Sequence, residues 1–368
     1  MTSHLLRRTL RDALRRGVKI RVVADPHPLG QQCPLFFPTQ NKKGMPNYRL
    51  AKINDEKSAN DDDCRDQRRL AHEIIAKQGI YTSFNKAELC PSGNHCFQHG
   101  KLAIIDDHIA LLSSGNFDSS NLCELATNPL NAKKVQRCNR DYSFVFNSSV
   151  SEGHVNAISL LKKIFEKDLS QKNYDLKMIL TKAPTLNSPQ VSVSPHSLEP
   201  LINFINTAEK TLLVQNQYMQ HPKLNEALVN ARKRGVQVSL SLASLCSFGM
   251  PSSYTIQKAR NIFTSFDKVG IVSRFFSSQN LIRNHPGYMH AKAMVADGKR
   301  AWLGSNNGSL MSLSKNREFG VFFDDPADVK ALEKSILQDL ASPGNSSWQE
   351  SIQCIKESPL SPRFKKAA

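Results

Sequence analysis

Hydrophobic and polar residues alternate along this chain in a pattern that occurs twice. Residues 13–23, ALRRGVKIRVV, run from a basic amphipathic stretch through Gly17 into apolar Val18, Ile20 and Val22 alternating with Lys19 and Arg21. Residues 231–241, ARKRGVQVSLS, do the same around Gly235. A helical period stopped by glycine and followed by a period of two predicts a helix ending at the glycine and a strand beyond it. Farther on, HGKLAIID (99–106) recurs as HAKAMVAD (290–297). Each is followed by an apolar strand and a small polar turn, ALLSSGN (110–116) against AWLGSNN (301–307). A last pair, NRDYSFVF (139–146) and NREFGVFF (316–323), aligns Asp141 with Glu318. Four blocks in the same order predict two copies of one α/β unit.

The spacing inside the copies is strict where the polar residues stand and loose elsewhere. From His to Ser is 15 residues in both (99 to 114, 290 to 305), and from His to Asn it is 17 (99 to 116, 290 to 307). Glycine to histidine spans 82 residues in the first copy and 55 in the second, so the first carries the larger insertion, including the polar run NDEKSANDDDCRDQ (54–67), expected as a solvated loop. A further loop, NLCELATNPLNAKK, follows the first polar turn. The second copy has a helix and a strand, SLEPLINFINTAEKTLLVQNQYM (197–219), ahead of its basic helix, and the first starts directly at that helix. Either the true start lies upstream or the first unit exposes an unpaired strand edge. The units are expected over residues 1–150 and 187–345, joined by 151–186 and followed by a basic tail, 346–368.

Composition narrows the partners without choosing among them. A net charge of +17 on 368 residues favours polyanions, either nucleic acid or an anionic lipid surface. No stretch approaches the roughly 18 consecutive apolar residues of a membrane-spanning helix, and the N-terminus reads as a basic amphipathic helix without a cleavage site. That helix and the tail SPRFKKAA are expected to rest on anionic headgroups. The eight cysteines show no zinc spacing, so no metal site is expected. They read as buried thiols, or as disulfides among the early ones if the protein is exported.

The chemistry lies at the repeated polar positions. On a strand, His99 and Lys101 project from one face while Asp106 belongs to the other, and His290, Lys292 and Asp297 share that parity. The two aspartates are therefore assigned to structure and the His/Lys pairs to chemistry, with Ser114, Asn116, Ser305 and Asn307 adding donors at the strand ends. Two such sets facing each other could split a phosphodiester without a metal. One histidine attacks phosphorus, the other protonates the leaving oxygen, and lysines and asparagines neutralise the equatorial oxygens. Asp141 and Glu318 suit the acceptor that fixes the tautomer of a catalytic histidine.

At these residues the chain resembles the phospholipase D superfamily, marked by a duplicated H-x-K-x4-D motif followed by G-S-x-N; the first copy reads SSGN where the family often has GSxN. The resemblance implies an α/β fold of two pseudo-twofold-related α/β/α lobes with mixed sheets, both histidines at one shared site, and a monomer holding both half-sites. It also implies His99 as nucleophile, His290 as general acid, and Lys101, Asn116, Lys292 and Asn307 on the phosphate, with no cofactor. The superfamily includes lipid hydrolases, phosphatidyl transferases such as cardiolipin synthases, and nucleases. The duplicated motif and the pattern of the second half, GYMHAKAMVADGKRAWLGSNN, resemble bacterial phospholipase D-like and cardiolipin-synthase-like proteins, which implies a phospholipid substrate for hydrolysis or phosphatidyl transfer, with cardiolipin synthase proper as one alternative. A nuclease is the alternative, supported by charge but by no nucleic-acid-binding module, and an inactive scaffold is a remote third.

Overall fold

The computed structural model describes residues 3–25, 35–40, 46–53, 62–84, 97–123, 138–170, 174–181, 188–247, 250–276 and 287–354. Helix α1 (His4–Arg15) feeds β1 (Arg21–Ala24), and a hairpin of β2 (Phe36–Gln40) and β3 (Pro46–Leu50) precedes helix α2 (Asp62–Ala76) and β4 (Ile80–Ser83). Strands β5 (Lys101–Ile105), β6 (Ile109–Ser113) and β7 (Ser143–Asn147) form an antiparallel meander, and α3 (Glu152–Leu169) and α4 (Leu176–Thr181) lead to the second half. There β8 (Gln190–Val193), α5 (Leu198–Asn206), β9 (Thr211–Asn216), α6 (Pro222–Lys233), β10 (Gln237–Ala243), α7 (Ser253–Val269) and β11 (Val272–Phe276) come first. The meander β12 (Ala293–Ala296), β13 (Arg300–Gly304) and β14 (Phe319–Phe323) follows, with α8 (Leu310–Ser314) before its last strand and α9 (Pro326–Leu340) and α10 (Trp348–Ile352) after it. Gly17 and Gly235 both end their helices at positive φ, +85° and +97°, a conformation in which a Cβ would be strained although nothing crowds it.

The second half holds the larger sheet among the described residues. Its seven strands form one mixed sheet in the order β11-β10-β9-β12-β13-β14-β8, in which β9 pairs parallel to β10 and antiparallel to β12. One face carries Met294, Ala296 and Trp302 into a core shared with α5, α6 and α7, and the other carries Ala293, Val295, Leu303 and Val321 toward the first half. Among the described residues of the first half, β1 pairs with β4, and β5 to β7 form a separate three-stranded sheet. No strand among the described residues takes the place in the first half that β9 holds between β10 and β12.

The halves meet over apolar sheet faces. Ala110, Leu112, Phe144 and Phe146 from β6 and β7 join the inner face of β12 to β14 in one core, with α3 and α9 flanking it. Phe144 and Phe323 lie with ring centroids 4.9 Å apart across this seam. Burying a side chain such as fully buried Phe146 contributes roughly 1.5–3 kcal/mol. This seam brings the ends of β5 and β12 together, and with them both motifs.

Three expectations change. The acidic run is not a loop throughout, because its last residues, from Asp62, open α2. There Asp66 accepts from Arg7 Nε at 2.8 Å, and Arg11 bridges Asp66 and Glu73. Helix α1 therefore packs into the protein with Arg7 buried, and does not offer its whole basic face to a lipid surface. Every described cysteine is disulfide-bonded: Cys123 pairs with Cys138, and Cys246 with Cys354, a late pair that the clustering of early cysteines did not point to. The tail SPRFKKAA and residues 54–61 lie outside the described residues.

Candidate active site

Each motif stands at the start of an inner strand, and what precedes the strand is held by the opposite half. The backbone N–H groups of His99 and Gly100 both donate to Arg317 O, at 3.0 and 2.8 Å. Reciprocally, His290 N donates to Arg140 O at 3.0 Å, and Arg140 N donates to Tyr288 O. The two repeated N-R-[DE] segments thus clamp the two histidines crosswise. Arg317 is itself buried, donating to both oxygens of Asp168 on α3 and to Ser194 O, and Arg140 donates to Asp339 on α9.

The carboxylate next to each arginine receives the opposite histidine. His99 Nδ1 lies 2.8 Å from Glu318 Oε2, and His290 Nδ1 lies 2.9 Å from Asp141 Oδ1. An ionised carboxylate only accepts, so Nδ1 carries the proton in both rings and each neutral ring keeps a lone pair on Nε2. Glu318 also accepts from Ser305 Oγ (2.7 Å), Ser312 Oγ (2.5 Å) and Asn316 Nδ2 (3.2 Å). Asp141 accepts from Ser114 Oγ (3.0 Å) and from Asn121 Nδ2. Burial alone would raise both carboxyls. His99 and Lys101 hold Glu318, and His290 and Lys292 hold Asp141, below the usual carboxylate range.

The lysines are buried cations at the floor of the site. Lys101 Nζ donates to His99 O, and Lys292 Nζ to His290 O and to Ser114 O at 3.4 Å. Burial pushes Lys101 down to about 8 and Lys292 to about 7, despite the raising influence of Glu318 and Asp141. Burial also lowers both histidines, and His290, beside Lys292, falls to about 3. The rings differ in access: the His99 side chain is 27% exposed and that of His290 4%. The side-chain amides of Asn116 and Asn307 make no hydrogen bond among the described residues, and Asn307 Oδ1 is buried without a partner.

The structure thus brings His99 against Glu318 and His290 against Asp141, with Lys101 and Lys292 beneath them. Ser114 and Ser305 turn to the carboxylates and not toward a ligand, which changes the expectation that they add donors at the strand ends. The motif aspartates stand outside the site: Asp297 accepts from the backbone N–H groups of Glu209, Lys210 and Thr211, and Asp106 has no partner among the described residues. Sequence reasoning assigned no role to Asn121, Ser312, Arg140, Arg317, Asp168 or Asp339. A signal existed for the first two, since Asn121 and Ser312 each stand seven residues after the repeated serine. Arg140 and Arg317 were visible in N-R-[DE], but their carboxylate partners come from distant helices without a motif.

With fold and site in view, the comparisons define the class. The chain matches the family model described as "Cardiolipin synthase, PLD-like domain" over residues 1–150 and 201–340. It belongs to that family of phospholipase D-like proteins. Similar proteins include a cardiolipin synthase of Clostridium perfringens (strain SM101 / Type A), 26% identical over 257 residues, covering 66% of this chain and 49% of the relative. The minor cardiolipin synthase ClsB of Bacillus subtilis (strain 168) is 26% identical over 289 residues, covering 75% of this chain and 65% of its own. The chain thus spans 49% of the length of the first of these relatives and 65% of the second. Among solved structures, the phosphatidylserine synthase of Haemophilus influenzae Rd KW20 superposes with a TM-score of 0.56 over 91% of this chain and 77% of its own, at 12% identity. That likeness is one of fold.

Proposed function

We propose that this protein exchanges phosphodiester groups on phospholipids through a phosphohistidine, by phosphatidyl transfer of the cardiolipin synthase type, with hydrolysis when water replaces the acceptor alcohol. The observation that carries the reading is the reciprocal pairing of the two histidine Nδ1 atoms with buried carboxylates 2.8 and 2.9 Å away. His99, the more exposed ring, uses its Nε2 lone pair to attack phosphorus. The P–O bond to the leaving group breaks, and that oxygen takes a proton from Nε2 of His290. An alcohol or water then attacks phosphorus, returning its proton to His290 as the N–P bond breaks. Lys101, Lys292, Asn116 and Asn307 neutralise and orient the phosphoryl oxygens. Ligand charge also explains how His290 comes to hold a proton: an anionic phosphate beside it counters Lys292 and raises both groups together. The cardiolipin synthase relatives favour transfer between glycerol-bearing lipids, and the paired cysteines suit an oxidising compartment.

The test incubates the protein in chelator with phosphatidylglycerol vesicles, phosphatidylcholine vesicles or plasmid DNA. New cardiolipin from phosphatidylglycerol is expected, DNA cleavage without lipid turnover overturns the substrate assignment, and His99→Asn is expected to abolish both turnover and trapping of a phosphoryl adduct. A fully active His99→Asn protein would remove the nucleophile assignment.

A further inference from the structure

We propose that Asn121 is a positioning residue for the general acid, holding Asp141 against His290, and that the Cys123–Cys138 disulfide is the clip that keeps it there. The proposal rests on the reading of His290 as the acid. Asn121 Nδ2 donates to Asp141 Oδ2 and lies 3.1 Å from His290 Nδ1, whose own N–H is directed at Asp141 Oδ1, 2.9 Å away. The amide can face only this way, because turned round its oxygen would meet Asp141 Oδ2, acceptor against acceptor. The two oxygens of Asp141 are thus engaged separately, Oδ2 by Asn121 and Oδ1 by His290 and Ser114. A carboxylate held at both oxygens does not turn about its Cβ–Cγ bond, so Oδ1 stays on Nδ1.

The consequence falls on one step of the reaction. His290 donates from Nε2 only while it carries a proton on both nitrogens, and the ionised carboxylate beside Nδ1 favours that state. The Asn121 donor favours the ionised form of Asp141. Without it the imidazolium is less favoured, and the leaving oxygen departs with less help from a proton. His99 answers to Glu318 and not to Asp141, so nucleophilic attack is not directly touched.

The two halves hold their carboxylates by different means. Glu318 receives Ser312, six residues away along the chain, and Asn316, two away. Asn121 stands 20 residues from Asp141. Asn139, the counterpart of Asn316, is turned elsewhere: its Nδ2 donates to Ser120 Oγ at 3.4 Å and its Oδ1 accepts from Tyr288 N at 3.3 Å. Over such a separation local backbone geometry does not place a side chain, and cross-links must. The disulfide joins Cys123, two residues past Asn121, to Cys138, three before Asp141, with their Cα atoms 4.6 Å apart. Just inside it, Asn139 N donates to Ser120 O at 2.9 Å. Asp118 Oδ1 fixes the turn itself, accepting from Ser120 N and Asn121 N at 3.0 and 2.9 Å. Covalent closure removes chain freedom that would otherwise oppose the contact between Asn121 and Asp141.

The test uses the full chain with lipid vesicles in chelator and follows leaving-group release in a single turnover from two lipids. Phosphatidylglycerol needs a proton for its glycerol oxygen to depart, and phosphatidyl-p-nitrophenol releases nitrophenolate without one. Asn121→Ala, and Asn121→Leu, which keeps the shape without the N–H, are expected to slow glycerol release about tenfold more than nitrophenolate release. The half-saturating lipid concentration should not move. Misfolding lowers both rates alike and so does not mimic the effect. Replacing Cys123 and Cys138 by serine is expected to shift the ratio in the same direction and to add little on top of Asn121→Ala, since both act through one contact. Cys246→Ser with Cys354→Ser should leave the ratio in place. Equal slowing of both lipids by Asn121→Ala overturns the positioning role, and a fully additive effect of the Cys123 and Cys138 replacements overturns the clip. His290→Asn separates this proposal from the reading beneath it. If it too slows both leaving groups alike, the acid assignment falls and this proposal with it; discrimination by His290→Asn without discrimination by Asn121→Ala overturns this proposal alone.

Discussion

Nδ1 of each histidine is the atom on which the site turns. Glu318 is wholly buried and accepts from four side chains, so its charge is fixed in place and holds one tautomer of His99. Glu318→Gln keeps the shape but replaces an acceptor-only group with one that also donates. It is expected to lower turnover on the order of 10²-fold with little change in KM, as steady-state kinetics on lipid vesicles would reveal. The lysines make a second prediction at this scale. Because burial depresses Lys101 to about 8 and Lys292 to about 7, both are protonated at pH 6 and largely neutral at pH 9. Binding of inorganic phosphate, measured by calorimetry, should weaken steeply across that window and take up protons near pH 7.5. Equal affinity at both ends would show that the lysines do not hold the anion.

At the scale of elements, short contacts anchor pieces that propensity would leave loose. Helix α10 has five residues, too few to persist alone. It is held by a capping box at Ser347 and Glu350, by Trp348 Nε1 donating to Asp267 at 2.8 Å, and by Ser351 Oγ accepting from Leu245 N. The Cys246–Cys354 disulfide closes a separation of 108 residues around it. Replacing both cysteines by serine is expected to lower stability by about 2–4 kcal/mol, seen as a lower thermal midpoint. Histidine pairing across the halves should survive, since none of its residues touches α10.

Across the whole molecule, two copies become one site by exchange. Each half supplies a histidine and lysine to the centre, and a carboxylate and arginine to its partner's histidine. Buried Arg317 reaches back to Asp168 on the connecting helix α3, and Arg140 to Asp339 on α9. The exchange explains why the copies share spacing from His to Ser and Asn and repeat N-R-[DE] after loops of different length: those residues must meet across the seam, while the insertions stay outside it.

Much of this was legible in the chain. Two glycine-stopped helices, two H-x-K-x4-D strands and equal offsets to Ser and Asn follow from period and repetition, because local backbone geometry translates directly into residue spacing. Distance did not. That His99 belongs with Glu318 and His290 with Asp141, that the serines serve the carboxylates, that Asp297 caps the entry to β9, and that Arg7 turns inward are decided by packing between segments far apart in sequence. The sequence determined the inventory of the site and the periodicity of its supports. Only the tertiary structure determined who pairs with whom, because hydrogen bonds and burial are settled by proximity in space, and proximity here is created by an apolar seam with no signature of its own.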